Sequence, residues 1–230
     1  MKKIIFALMI SVLLLAPVVL AKNDKQTEPI DKITFIHYKD GEVKQVGPVF
    51  KSPTCYSLMG IKWNSLPVRY VINPDGYNVN FVTNAISLAT AEWDSHTSKT
   101  LFSTYSIGSA GWDTSSPDYV NAYVFGPYPD KNVIAVTNVW YTRYGKQIVD
   151  YDVLFNTYYN WKDCSPGGCS AAMDLQNIAT HETGHGLGLA DIYNTACKTV
   201  TMFGYSSYGE TIKRTLEQPD VTGLQKIYGS

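Results

Sequence analysis

Residues 181 to 191 read HETGHGLGLAD, and this segment limits what the chain can be more than any other. The chain holds four histidines, and two of them stand here, four residues apart with a glutamate between. On an α-helix of 3.6 residues per turn, positions four apart differ in direction by only about 40°. His181 and His185 therefore point the same way, and their ring nitrogens can converge on one cation. Two neutral imidazoles suit Zn²⁺, whose reactive sites take a third protein ligand and keep one position open for water. Glu182 follows a ligand directly. It is too close in angle to complete the set, but well placed to reach a metal-bound water as general base.

The third ligand has to come from elsewhere. His37 and His96 are the remaining imidazoles, both distant in sequence; His37 is expected in a surface hairpin and His96 in a capping position at a helix end. Asp191 is near. Gly188 can take a positive φ, end the helix and turn the chain so that Asp191 swings back to the ion. A carboxylate oxygen binds zinc at the same range as an imidazole nitrogen. On this reading the glycines make a turn, and the turn brings Asp191 within reach. An isolated HExxH can equally be a helical face without metal, so the rest of the chain must supply the context.

The first 21 residues, MKKIIFALMISVLLLAPVVLA, place two lysines ahead of an apolar run that closes on Val19-Leu20-Ala21. This pattern predicts a cleaved signal peptide over 1–21. The alternative is an uncleaved anchor, but the run from Ile4 to Leu20 is broken by Pro17 and sits at the short limit for a membrane span. No second run of spanning length follows, so the mature chain is expected to be secreted, soluble and free of the membrane. Losing Lys2 and Lys3 from 19 basic residues leaves 17 against 20 acidic ones, which argues against nucleic acid as a partner.

Cys55, Cys164, Cys169 and Cys197 form an even set, read in an exported chain as two disulfides. Ser-Pro-Gly-Gly between Cys164 and Cys169 can bring those ends together, which leaves Cys55 with Cys197. The rival reading makes one cysteine, Cys55, a thiolate ligand to the metal. Residues 22–54 read as an N-terminal extension too small to bury a core, in which ITFIHY and EVKQV flank Lys-Asp-Gly as a hairpin. Strands are expected at 68–73, 119–125, 132–141 and 148–156. Helices are expected after Asn80 (the candidate N-cap), from Ala171 through the HExxH segment, and between Pro219 and Gly229.

The segment His181-Glu182-Thr-Gly-His185-Gly-Leu-Gly188-Leu-Ala-Asp191 resembles the zinc signature of the metzincin metallopeptidases, most of which carry histidine where Asp191 stands. TVTMFGY puts Met202 eleven residues after Asp191, similar to the methionine turn beneath the metzincin zinc, which implies structural packing for Met202. The tail RTLEQPDVTGLQKIYG, the segment GIKWNSLPVRYVIN and the strand VIAVT are similar to parts of the matrixin branch. The resemblance covers roughly residues 56 to 230 and is closest to compact secreted microbial members. A cysteine switch of the Pro-Arg-Cys-Gly type does not occur in the sequence.

What the resemblance implies is one α/β (α+β) catalytic domain over 55–230. It has a twisted, mixed but mostly parallel sheet, two backing helices and a small C-terminal part after Gly188. The implied activity is secreted zinc endopeptidase. His181, His185 and Asp191 would hold Zn²⁺, and Glu182 would act as general base. An extended substrate would lie along an edge strand at Val133, Ala135 and Thr137. The residues after Met202, Tyr205 among them, would wall the pocket. Asp113, Asp118 and Asp130 are loop acids that could take Ca²⁺, as matrixins often do, although no EF-hand spacing is present. A monomer acting on peptide or protein substrates is expected. The competing class is a secreted binding module that keeps zinc for structure, which the intact Glu182 disfavours.

Overall fold

The computed structural model describes residues 28–41, 54–112 and 114–230. In chain order the strands and helices are β1 (Ile30–Lys39), β2 (Val71–Ile72), α1 (Val79–Asp94), β3 (Ser106–Ile107), β4 (Ala122–Gly126), β5 (Val133–Thr142) and β6 (Ile148–Asn156). They continue with β7 (Trp161–Lys162), β8 (Met173–Asp174), α2 (Leu175–Gly186), β9 (Tyr205–Ser206) and α3 (Gln218–Tyr228). Seven strands form one sheet in the order β3-β2-β4-β6-β5-β1-β9, and β7 and β8 form a small parallel pair. β3, β2, β4 and β6 run parallel to one another, while β5 is antiparallel to both β6 and β1. The sheet is thus mixed and mostly parallel, as expected.

α1 and α2 pack together against this sheet. Val82, Ile86, Ala89 and Trp93 fall on one face of α1 at helical spacing and are all fully buried. Its N-cap is Asn78, whose side chain accepts from Phe81 N, and not the expected Asn80. Trp93 reaches across to donate its indole N–H to Thr180 O at 2.8 Å, which fixes α2 just before its first histidine.

Two expectations need correction. The first is the local hairpin of the extension: β1 joins the main sheet through nine paired residues of β5, from Ile30↔Thr142 to Tyr38↔Val133. Phe35 and Tyr38 are buried by it. β1 thus pairs with a distant strand where a local hairpin was expected; the EVKQV arm lies outside the described residues. Consequently β5 is not an edge. It runs between β6 and β1, and its first eight residues are buried on both faces.

Candidate metal centre and cleft

α2 is N-capped by Asp174, whose carboxylate accepts from Asn177 N (2.8 Å) and from Arg214 Nε (2.8 Å). Its small residues are there for space. A Cβ on Gly184 would meet Met202 Sδ at 2.3 Å and the Trp93 ring at 2.8 Å, and one on Gly186 would meet the Tyr151 ring at 2.9 Å. Only Gly188 makes the turn, at φ +100°. The three glycines therefore split their work, where the sequence suggested one shared turn. After Gly188, Leu189 N returns to Gly184 O at 3.0 Å. Ile192 N bonds Met202 O at 2.8 Å, which ties the Asp191 segment to the methionine loop.

This path brings three acceptor atoms together. His181 Nδ1 lies 2.7 Å from Thr201 O, and His185 Nδ1 lies 2.9 Å from Leu189 O. A carbonyl can only accept, so each Nδ1 carries a proton, and in its neutral form each ring turns a bare Nε2 inward. The two Nε2 atoms are 3.2 Å apart, and Asp191 Oδ1 lies 3.2 and 3.4 Å from them. Oδ1 is buried and has no hydrogen-bond partner. Three lone-pair donors facing one another repel unless a cation sits among them. Donors at about 2.0–2.1 Å from a tetrahedral zinc stand about 3.3 Å from each other, so the spacing fits that ion. Burial pushes the His181 imidazole down to about 4, which favours the neutral, ligating form. Burial works to raise the Asp191 carboxyl, but the adjacent His185 and His181 outweigh it and hold it ionised.

Asp191 is aimed by a residue the sequence did not single out. Tyr193 OH donates to Asp191 Oδ2 at 2.9 Å. Its ring passes over Gly204, where a Cβ would sit 2.5 Å from a ring carbon. Glycine in that position, with no side chain to meet the phenol, is what admits the ring. Met202 is fully buried beneath the histidines, and the Cys55–Cys197 disulfide pins the loop between Asp191 and Met202. Cys164 is bonded to Cys169, so no cysteine is free to ligate.

Glu182 is fully buried and accepts from two sides. Thr137 Oγ1 donates to Oε2 at 2.5 Å, and His37 Nδ1 lies 2.9 Å from Oε1. His37 is thus no surface residue: it is 1 % exposed, with its ring 4.0 Å from that of His181. Its Nε2 lies 3.0 Å from Ser206 Oγ, which also accepts from Lys213 Nζ at 2.8 Å. Lys213 is itself buried and paired with Glu210. No local spacing in the sequence marks His37, Tyr193, Ser206 or Lys213 as members of one cluster.

The residues expected along a substrate instead hold β1. Val133 pairs with Tyr38, Ala135 with His37, Thr137 with Phe35, and Tyr205 with Tyr38 from the other side. Of the calcium candidates, Asp118 and Asp130 each accept an N–H two residues on in their own turns, and neither belongs to a metal-ligating group among the described residues. Asp113 lies outside the described residues.

A mixed sheet backed by two helices, one carrying HExxH and delivering a carboxylate through the turn that follows, is the architecture of a metallopeptidase of the zincin type. The family model for the matrixins, a peptidase family, matches residues 62–229, and the chain belongs to that family. None of the curated proteins compared with the chain matches it.

Proposed function

We propose that this chain is a secreted zinc-dependent endopeptidase that hydrolyses extended segments of peptide or protein substrates. The observation that carries the reading is the convergence of His181 Nε2, His185 Nε2 and Asp191 Oδ1 one helical residue away from a buried glutamate. In this reading those three residues hold the ion, which when bound supplies Lewis acidity to a peptide carbonyl and to a water molecule.

Glu182 takes a proton from the attacking water as the water oxygen joins the carbonyl carbon. The C–N bond then breaks, the proton passes to the departing nitrogen, and the carboxylate is restored. Burial raises the proton affinity of Glu182, which suits a group that must accept and then donate. Thr137 holds Oε2, so Oε1 is the oxygen left for the transfer once His37 has moved. The leader pattern and the two disulfides support export.

The test is cleavage of a mixed peptide library, run with zinc, with chelator and with Glu182→Ala. Cleavage confined to the zinc-loaded wild type supports the reading. Equal cleavage with chelator, or by the alanine variant, removes it.

A further inference from the structure

The site cannot receive a peptide as it stands, because His181, Glu182 and His185 are at most 1 % exposed. What covers them is β1. It runs antiparallel to β5 on one side and parallel to β9 on the other, with Lys39 N bonded to Asn132 O and Asp40 N to Ser206 O, both at 2.9 Å. Strands pair at about 4.8 Å, so the space between β5 and β9 is one strand wide. The walls of that groove lie within residues 62–229, which the family model matches, and the strand that fills it lies outside them.

Side chains of β1 alternate as a pleat requires. Phe35 and His37 face α2. The Phe35 ring stacks on His185 at 3.9 Å and 8°, and His37 sits beside His181. Ile36 and Tyr38 face the other way, into a cluster with Val133 and Val136. His37 is read at both nitrogens. Lys213 Nζ occupies a lone pair of Ser206 Oγ, and the Ser206 O–H can point at His37 Nε2. A neutral ring that accepts there carries its proton on Nδ1, toward Glu182 Oε1. Ser206 Oγ also has Glu210 Oε1 at 3.3 Å, but an apolar side chain in this position would leave the buried Glu182 Oε1 without the partner His37 gives it, which is costly.

We propose that residues 30–40 are a tethered peptide ligand of the cleft, and that the groove selects extended peptides bearing an aromatic residue followed two positions later by histidine. That a bound peptide is then cut rests on the endopeptidase reading; the occupancy and the selectivity do not.

The probe is the labelled peptide IDKITFIHYKD, added to the full chain in the presence of chelator so that no cleavage depletes it. The full-length double variant Phe35→Ala/His37→Ala should bind it at least tenfold more tightly than the wild type. The same peptide with alanine in place of histidine should bind that variant at least tenfold more weakly. In a second preparation a site-specific protease sequence is inserted between Gly41 and Thr54 and cut after folding, leaving every groove residue intact. Labelled peptide should then enter the cut chain and not the uncut one. Failure to enter after cutting overturns the tethered ligand whether or not the double variant folds, and equal binding of the alanine peptide overturns the selectivity. A chain that binds the peptide yet cleaves nothing with zinc loses only the peptidase reading. A chain that cleaves other peptides but never admits this one loses only the present inference.

Discussion

Tyr193 donates its phenol proton to Asp191 Oδ2 across 2.9 Å, and this leaves Oδ1 facing the two histidine nitrogens. In the proposed metal site the phenol orients a ligand without touching the ion position. Hydrogen bonds of this kind are typically worth 10- to 100-fold in metal affinity. Tyr193→Phe keeps the ring over Gly204 and removes only the donor. Its zinc affinity, measured by chelator competition, should fall by roughly tenfold or more; unchanged affinity would show that the turn alone aims Asp191.

Glu182→Gln should retain zinc, because Glu182 is not one of the three converging donors. Turnover should drop by roughly 10²- to 10⁴-fold, the range for loss of a general base. Zinc content and initial rates on the same preparation separate the two effects. Loss of the metal together with the rate would count against the assigned roles.

Gly188→Ala should damage the protein more than Gly184→Ala. At Gly188 an added methyl meets the backbone carbonyl of Ile61 at 2.5 Å, at a φ of +100° that side-chain-bearing residues avoid. A residue held in such a conformation costs about 1–3 kcal/mol before the clash is counted. At Gly184 the nearest atom is the sulfur of the flexible Met202, although the Trp93 ring stands close behind. Urea midpoints for the two variants, with zinc retention read alongside, decide the order.

The long disulfide should matter more than the short one. Cys55–Cys197 spans 142 residues of sequence and Cys164–Cys169 spans 5. Loop-closure entropy assigns them about 5 and about 2 kcal/mol. Paired serine variants compared by denaturant unfolding should rank in that order, and a reversal would locate the stabilisation in local packing.

Asp220 makes stability depend on pH in an unusual direction for a carboxylate. Burial pushes it up to about 6, even though its oxygens accept from Thr201 N, Met202 N and Glu217 N. The folded pKa lies above the unfolded one, so the folded state takes up the proton first. The favourable contribution is therefore fully present below the unfolded value of 3.8 and is lost as pH rises through about 6. Relative to Asp220→Asn, the wild type should gain up to about 3 kcal/mol between pH 7 and pH 4. A difference that stays flat over that window would mean that the three N–H donors fully offset the burial.

The legible part of the site was the part built by local geometry. His181, Glu182, His185, Gly188 and Asp191 lie within eleven residues, where helical period and one turn decide which atoms meet. Met202 followed only from the resemblance to the metzincin methionine turn. β1 was legible as a strand from its alternation, but alternation does not name a partner. The local hairpin was the cheaper closure, yet burial of Phe35 and His37 against α2 carried β1 across the molecule to β5. A clue was available in β5 itself. VIAVTNVW has no polar alternation, and a strand apolar on both faces is seldom an open edge. Tyr193, Ser206 and Lys213 could not be read, because each acquires its meaning from a neighbour that only the folded chain supplies.

The placement of β1 also bears on how copies of this chain behave toward one another. Without it, β5 would present an exposed row of unpaired amides and carbonyls bordered by apolar side chains. Such a rim recruits any extended backbone, including that of an identical molecule, and is a common starting point for aggregation. While β1 is in place the rim is capped from within the same polypeptide, so an identical molecule finds no open backbone along this border.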